Sequence, residues 1–189
     1  MRRFLTGAAA ALSISGIAFL APAMTQEAAE TAPEQPKLTL SATHGAWEVH
    51  CVEGTEDCTM RQFGDTAEGE RALMVAIKRL EGVTNEGKPV PAAMEVLAPL
   101  GLLIPYGIRL KVDQGEVAGI PLIRCIADRC IAQEPLSEQS VSQLKNGATA
   151  KFGFVMNDEV LVDISLNGFT AAYNALKPVP MEGPGQGQN

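Results

Sequence analysis

Four cysteines and two histidines are the side chains of this sequence with the widest covalent and proton-transfer chemistry. The cysteines stand at Cys51, Cys58, Cys125 and Cys130, in the spacings C-x6-C and C-x4-C, and the histidines at His44 and His50. A thiol redox centre wants a C-x-x-C pair at a helix N-terminus, where the thiolate is favoured, and neither spacing supplies it. A zinc site needs thiolates and imidazoles that converge, and both histidines sit on one short stretch next to Cys51. An even cysteine count reads as two disulfides if the chain leaves the cytosol, with three connectivities open to four cysteines. Local pairing, Cys51 with Cys58 and Cys125 with Cys130, is expected because each pair flanks a short polar turn, Glu53 to Asp57 and Ala127-Asp128-Arg129. On the chain-entropy model such short loops contribute roughly 2 to 2.5 kcal/mol each. A link from Cys51 to Cys125 would contribute about 4.4 kcal/mol, so entropy leaves the longer pairing open.

Catalytic constellations are thin. The sequence has no G-x-S-x-G elbow, no H-E-x-x-H, no G-x-x-x-x-G-K-[ST] and no G-x-G-x-x-G. A Ser-His-Asp arrangement could be built only on His44 or His50, and no serine has a local context that nominates it. The carboxylate pairs Asp158-Glu159 and Glu68 with Glu70 fall in turns and read as solvated loop charge. No catalytic residue, metal ligand or cofactor is therefore expected. His50 is expected to be an exposed, outward-facing residue, since Val49 and Cys51 take the opposite face of a strand. One stretch has a binding reading. From Val96 to Ile108 the chain is apolar and uncharged but is broken by Pro99, Gly101, Pro105 and Gly107, so it is no clean central strand. Exposed, Leu102, Leu103, Ile104 and Tyr106 would form a partner-contact patch; buried, they would close one end of the core.

The elements that must hold these residues are read from period two. Leu38 and Leu40; Trp47, Val49 and Cys51; Leu73, Val75 and Ile77; Ile108, Leu110 and Val112; Phe152, Phe154 and Met156; and Val160, Val162 and Ile164 alternate with polar or smaller neighbours, as half-buried strands do. Turn chemistry separates them at Glu53-Gly54, Asn85-Glu86-Gly87, Gln114-Gly115, Asn146-Gly147, Asn157-Asp158 and Asn167-Gly168. Phe152 to Leu166 reads as a hairpin with a two-residue turn at Asn157-Asp158. Ser137 caps a short helix running to about Lys145, with Val141 and Leu144 on one side, and Phe169, Ala172, Tyr173 and Leu176 have the spacing of a second. Ala92 to Leu97 is ambiguous between strand and helix. About eight short strands with regular turns favour a mainly β, antiparallel sandwich.

The ends carry different information. Arg2 and Arg3, the uncharged stretch Phe4 to Leu20, and Ala21-Pro22-Ala23 have the form of a secretory signal peptide over residues 1–23. That stretch is too diluted by Thr6, Ser13, Ser15 and glycines for a spanning helix. No cysteine precedes Cys51, so no lipidated N-terminus and no stable membrane insertion after cleavage are expected. Taking Arg2 and Arg3 from the 15 basic residues leaves 13 against 22 acidic, a net charge of −9. That field repels phosphate backbones, so nucleic acid is not expected as a partner. Residues 24–36 and 177–189 lack large apolar groups or are rich in Pro, Gly and Gln, and read as a disordered linker and tail around a folded domain at 37–176. The expected location is the periplasm, the cell surface or the medium.

In order and spacing, Trp47-x-Val49-x-Cys51, Cys58-Thr59-Met60-x-Gln62, Pro99-Leu100-Gly101, Gly107, Gly115, Gly119-Ile120-Pro121, Cys125 to Cys130, Ala132 and Leu166-Asn167-Gly168-Phe169-x-x-Ala172 resemble the invasion-associated locus B family. The resemblance spans about Trp47 to Leu176. It implies an immunoglobulin-like sandwich with one or two short helices, exported by a Gram-negative bacterium. It also implies an envelope accessory or binding protein linked in a pathogen to host-cell entry, with an envelope or host protein as partner. A periplasmic thiol-active protein or envelope enzyme is the competing reading, and it would use Cys51, Cys58 or His50.

Overall fold

The computed structural model describes residues 36–180; the expected leader, nearly all of the expected linker, and the tail after Pro180 lie outside the described residues. In chain order the strands are β1 (Leu38–His44), β2 (Trp47–Val52), β3 (Cys58–Asp65), β4 (Arg71–Glu81), β5 (Thr84–Asn85), β6 (Lys88–Pro89), β7 (Ala92–Ala98), β8 (Ile108–Val112), β9 (Val117–Ile120), β10 (Leu122–Cys125), β11 (Cys130–Leu136), β12 (Thr149–Val155), β13 (Glu159–Ser165) and β14 (Val179–Pro180). Helix α1 (Glu138–Asn146) lies between β11 and β12, and α2 (Phe169–Ala175) follows β13.

Most of the strands form two packed antiparallel sheets, with β5 and β6 paired as a separate two-stranded ribbon and β14 added parallel to β4. The larger has the order β1-β2-β3-β4-β7-β11-β10, and the smaller β13-β12-β8-β9. Val49, Met60, Val75, Ile77, Met94 and Val96 fill the inner face of the first; Ile108, Ile120, Phe152, Phe154, Val162 and Ile164 fill that of the second. The sheets approach closely at β3 and β13, where a Cβ on Gly64 would sit 2.4 Å from Val162 Cγ1 and 2.7 Å from Ile164 Cδ1. Only glycine fits that crossing without displacing both side chains.

Both helices lie where the spacing places them. Ser137 Oγ accepts from the Ser140 backbone N–H at 3.1 Å, and Val141 and Leu144 bury the inner side of α1. Helix α2 sets Phe169 edge-on against Trp47, with ring centroids 5.2 Å apart, and stacks Tyr173 beyond it. Trp47 Nε1 and Gln62 Nε2 each donate to the Ser165 carbonyl at 3.0 Å, which fixes the end of β13 to the larger sheet.

Several expectations are corrected. Ala92–Ala98 is a strand inside the larger sheet, inward and outward residues alternating along its length. The β12–β13 turn has three residues, Met156 to Asp158, because Val155 and Glu159 are the last paired positions. The folded body continues past Leu176: Val179 pairs with Leu80 as β14 runs parallel to β4. Not anticipated from periodicity, Val117 to Cys125 is two strands, since the chain leaves the smaller sheet at Pro121 and enters the larger. Proline lacks the N–H that a continuous ladder would need there.

Candidate functional site

The turn joining β7 to β8 is built from residues that cannot stay in a sheet. Pro99 and Pro105 lack donors, Gly101 takes φ 89° and Gly107 φ 59°, and Ile104–Tyr106 close a 3-10 turn in which the Gly107 N–H donates to the Ile104 carbonyl at 3.1 Å. The turn is pinned to the sandwich rather than loose. Leu102 is inserted in the core, and the Leu103 N–H donates to the Val155 carbonyl at 2.7 Å.

This divides the four residues of the expected patch. Leu102, 6% exposed, is a core residue and no part of a contact surface. Leu103, Ile104 and Tyr106 stand 45%, 65% and 61% exposed, with Leu100 at 43% beside them in sequence. Alternation along an irregular turn could not separate them; the chain turns at Gly101, φ 89°, and the next residue, Leu102, enters the core. A shallow groove of about 390 Å³ runs from Ile104 and Tyr106 to Gly119, Pro121 and Leu122. With the backbone of the turn already held, contact with another surface has only the exposed side chains left to order, which suits them to binding.

The cysteines are paired as Cys51–Cys58 and Cys125–Cys130. Each bridge joins directly opposed positions of neighbouring strands, β2 with β3 and β10 with β11. Peptide mapping of the non-reduced protein should recover these two links and native thiol titration should find no free thiol. A fragment joining Cys51 to Cys125 would refute the pairing, and rapid labelling would favour the thiol-active reading.

His50 faces outward as its parity demands but is not exposed: at 9% it is covered between its cross-strand neighbours Leu40 and Thr59. Its Nε2 lies 2.8 Å from Glu48 Oε2. That hydrogen bond, with the Arg61 guanidinium 3.5 Å from the same oxygen, holds the Glu48 carboxyl below its ordinary range. Glu48 and Arg61 are themselves a cross-strand pair. Sequence reasoning missed this cluster because it joins residues of two strands, and β3 gives little periodic signal. Glu159 of the turn carboxylates pairs with Arg109 at 2.6 Å on the surface, while Glu68 is exposed with its carboxyl lowered by hydrogen bonds from Thr66 and its own backbone. Among the described residues no group of three or more His, Cys, Asp or Glu side chains could hold a metal ion.

A family model described as Invasion associated locus B (IalB) protein matches residues 47–177. Two curated proteins of Brucella abortus strains, each named an invasion protein B homolog, are 28% identical to this chain over 145 residues, which is 74% of the chain and 80% of either relative. Among solved structures, the crystal structure of invasion associated protein b from Bartonella henselae superposes with a TM-score of 0.57 at 22% identity, covering 72% of this chain and 94% of that one. The structural likeness agrees with an antiparallel β-sandwich.

Proposed function

The chain belongs to the invasion-associated locus B family, and on that basis we propose that it is an exported, non-catalytic accessory protein of the Gram-negative envelope, acting by contact with another protein. The single observation that carries the contact reading is the rigid turn that holds Leu103, Ile104 and Tyr106 in solvent while Leu102 anchors it. The relatives' names as invasion proteins support a role in adhesion to or entry of a host cell, with the periplasm or cell surface as the working location. Two disulfides suit a protein that folds outside the cytosol, where a scaffold must hold its loops without reducing agents or chaperones of the interior.

The test is the double variant Leu103→Ser, Ile104→Ser. Since both side chains are already exposed, the melting temperature is expected to stay within about 2 °C of wild type, as surface substitutions usually change stability by under about 0.5 kcal/mol. Proteins captured from the envelope fraction by the wild type should be lost with the variant. A large fall in melting temperature would instead place these residues in the core, and unchanged capture would remove the turn as the contact surface.

A further inference from the structure

A cleft of about 830 Å³ opens between the β8–β9 hairpin and α1, away from the turn just described. Its apolar lining includes Leu110, Ile120, Leu136 and Leu144, and its acidic lining is Asp113, Glu116 and Glu134; no lysine, arginine or histidine is among the described residues that line it. Asp113 is already engaged, its carboxylate accepting from the Ala148 N–H at 3.0 Å and the Thr149 N–H at 2.9 Å.

Glu134 is different. On β11 it shares the parity of Cys130, Ala132 and Leu136, all buried, so it occupies a core-facing position of the strand, opposite the buried Met94. Its carboxylate has no hydrogen bond and no ion pair among the described residues, and burial pushes its pKa up. Half-buried at the cleft wall, the carboxylate keeps contact with solvent and is free to meet a cationic group brought into the cleft.

The second observation is an open sheet edge. β9 is the last strand of the smaller sheet and pairs only with β8. Its residues Val117, Ala118 and Ile120 line the same cleft. A terminal strand offers unpaired N–H and C=O groups that template a further strand.

We infer that the cleft is a peptide-binding site, in which an extended segment of a partner protein adds to the free edge of β9 and sets a lysine or arginine side chain on Glu134. The backbone of the segment supplies affinity and the basic side chain supplies register and selectivity, with Leu110, Leu136 and Leu144 receiving its apolar neighbours. The site is separate from the Leu103–Tyr106 turn and stands whether or not that turn binds anything.

The experiment is selection of random hexapeptides on the full mature protein and on its Glu134→Gln variant. Selected peptides are then remade with the basic residue replaced by norleucine, and all pairs are measured by titration and by amide hydrogen exchange. Glu134→Gln removes an unpaired charge, so it is expected to melt at or above wild type. Peptides chosen by the wild type should share one lysine or arginine. Affinity should fall roughly ten- to hundredfold with either change, the range for losing a charge-assisted hydrogen bond, and bound peptide should slow exchange at the β9 amides. Selection without a basic residue, or binding undiminished in the variant, would overturn the assignment of Glu134. Equal binding of hexylamine with no protection of β9 would overturn strand addition in favour of a small cationic ligand.

Discussion

Gly168→Ala should be among the most damaging single-methyl changes in this protein, lowering the melting temperature by about 10 °C. Gly168 begins α2 at φ 86°, where a side chain costs roughly 1 to 2 kcal/mol. The surroundings are more severe: an added Cβ would lie 2.0 Å from the His44 carbonyl oxygen, 2.5 Å from its carbon and 2.9 Å from the Gly45 nitrogen. All three are backbone atoms, so no rotamer change relieves the overlap. The β1–β2 turn and the start of α2 would have to separate, which endangers the hydrogen bond from the Ala46 N–H to the Asn167 carbonyl and the packing of Phe169 on Trp47. The control is Gly54→Ala. Its φ of 78° is similar but nothing lies within 4 Å of the added methyl, so only the conformational cost of about 1 to 2 kcal/mol should appear. Equal shifts for the two variants, measured by thermal unfolding, would show that the close backbone approach at Gly168 carries no energy.

Trp47→Ala should cost about 3 to 5 kcal/mol, the range for emptying the space of a buried aromatic. Trp47 is 1% exposed, lies edge-on to Phe169, and joins the sheets through its N–H to the Ser165 carbonyl. That carbonyl also receives Gln62 Nε2, so removing the indole does not orphan it. Trp47→Phe, which keeps an aromatic ring against Phe169 while losing the donor, should therefore cost less, about 1 to 2 kcal/mol. Urea unfolding followed by circular dichroism measures both, since the substitutions remove the chain's one tryptophan. If Phe is as damaging as Ala, the stabilisation resides in the indole hydrogen bond and not in the volume.

The strands that were legible in the sequence are those whose two faces meet different solvents. Ile108 to Val112 alternates apolar with charged residues, and the structure turns Ile108 and Leu110 inward and Arg109 outward. β3 was illegible for the opposite reason. It buries Met60, Gln62 and Gly64 while Phe63 faces out, stacked under the Arg71 guanidinium at 4.1 Å, so hydropathy runs against the true pattern. Gln62 is inside because a carbonyl of β13 awaits it, and Gly64 because β13 leaves room for nothing larger. Those causes belong to a strand about a hundred residues further on, which no local window contains.

By itself the sequence determined the β character of the chain and its two short helices, of which Ser137 caps the first, and it favoured local disulfide pairing while leaving the longer link open, because each of these readings depends on backbone propensity or on residues near one another in the chain. It also singled out one apolar stretch, Val96 to Ile108, as a candidate for contact with a partner. Only the tertiary structure decided which residues of that stretch meet water, that His50 is covered, and that an inward carboxylate faces a cleft beside an open strand edge. Exposure is a property of the second sheet as much as of the residue, and the second sheet is assembled from distant parts of the chain.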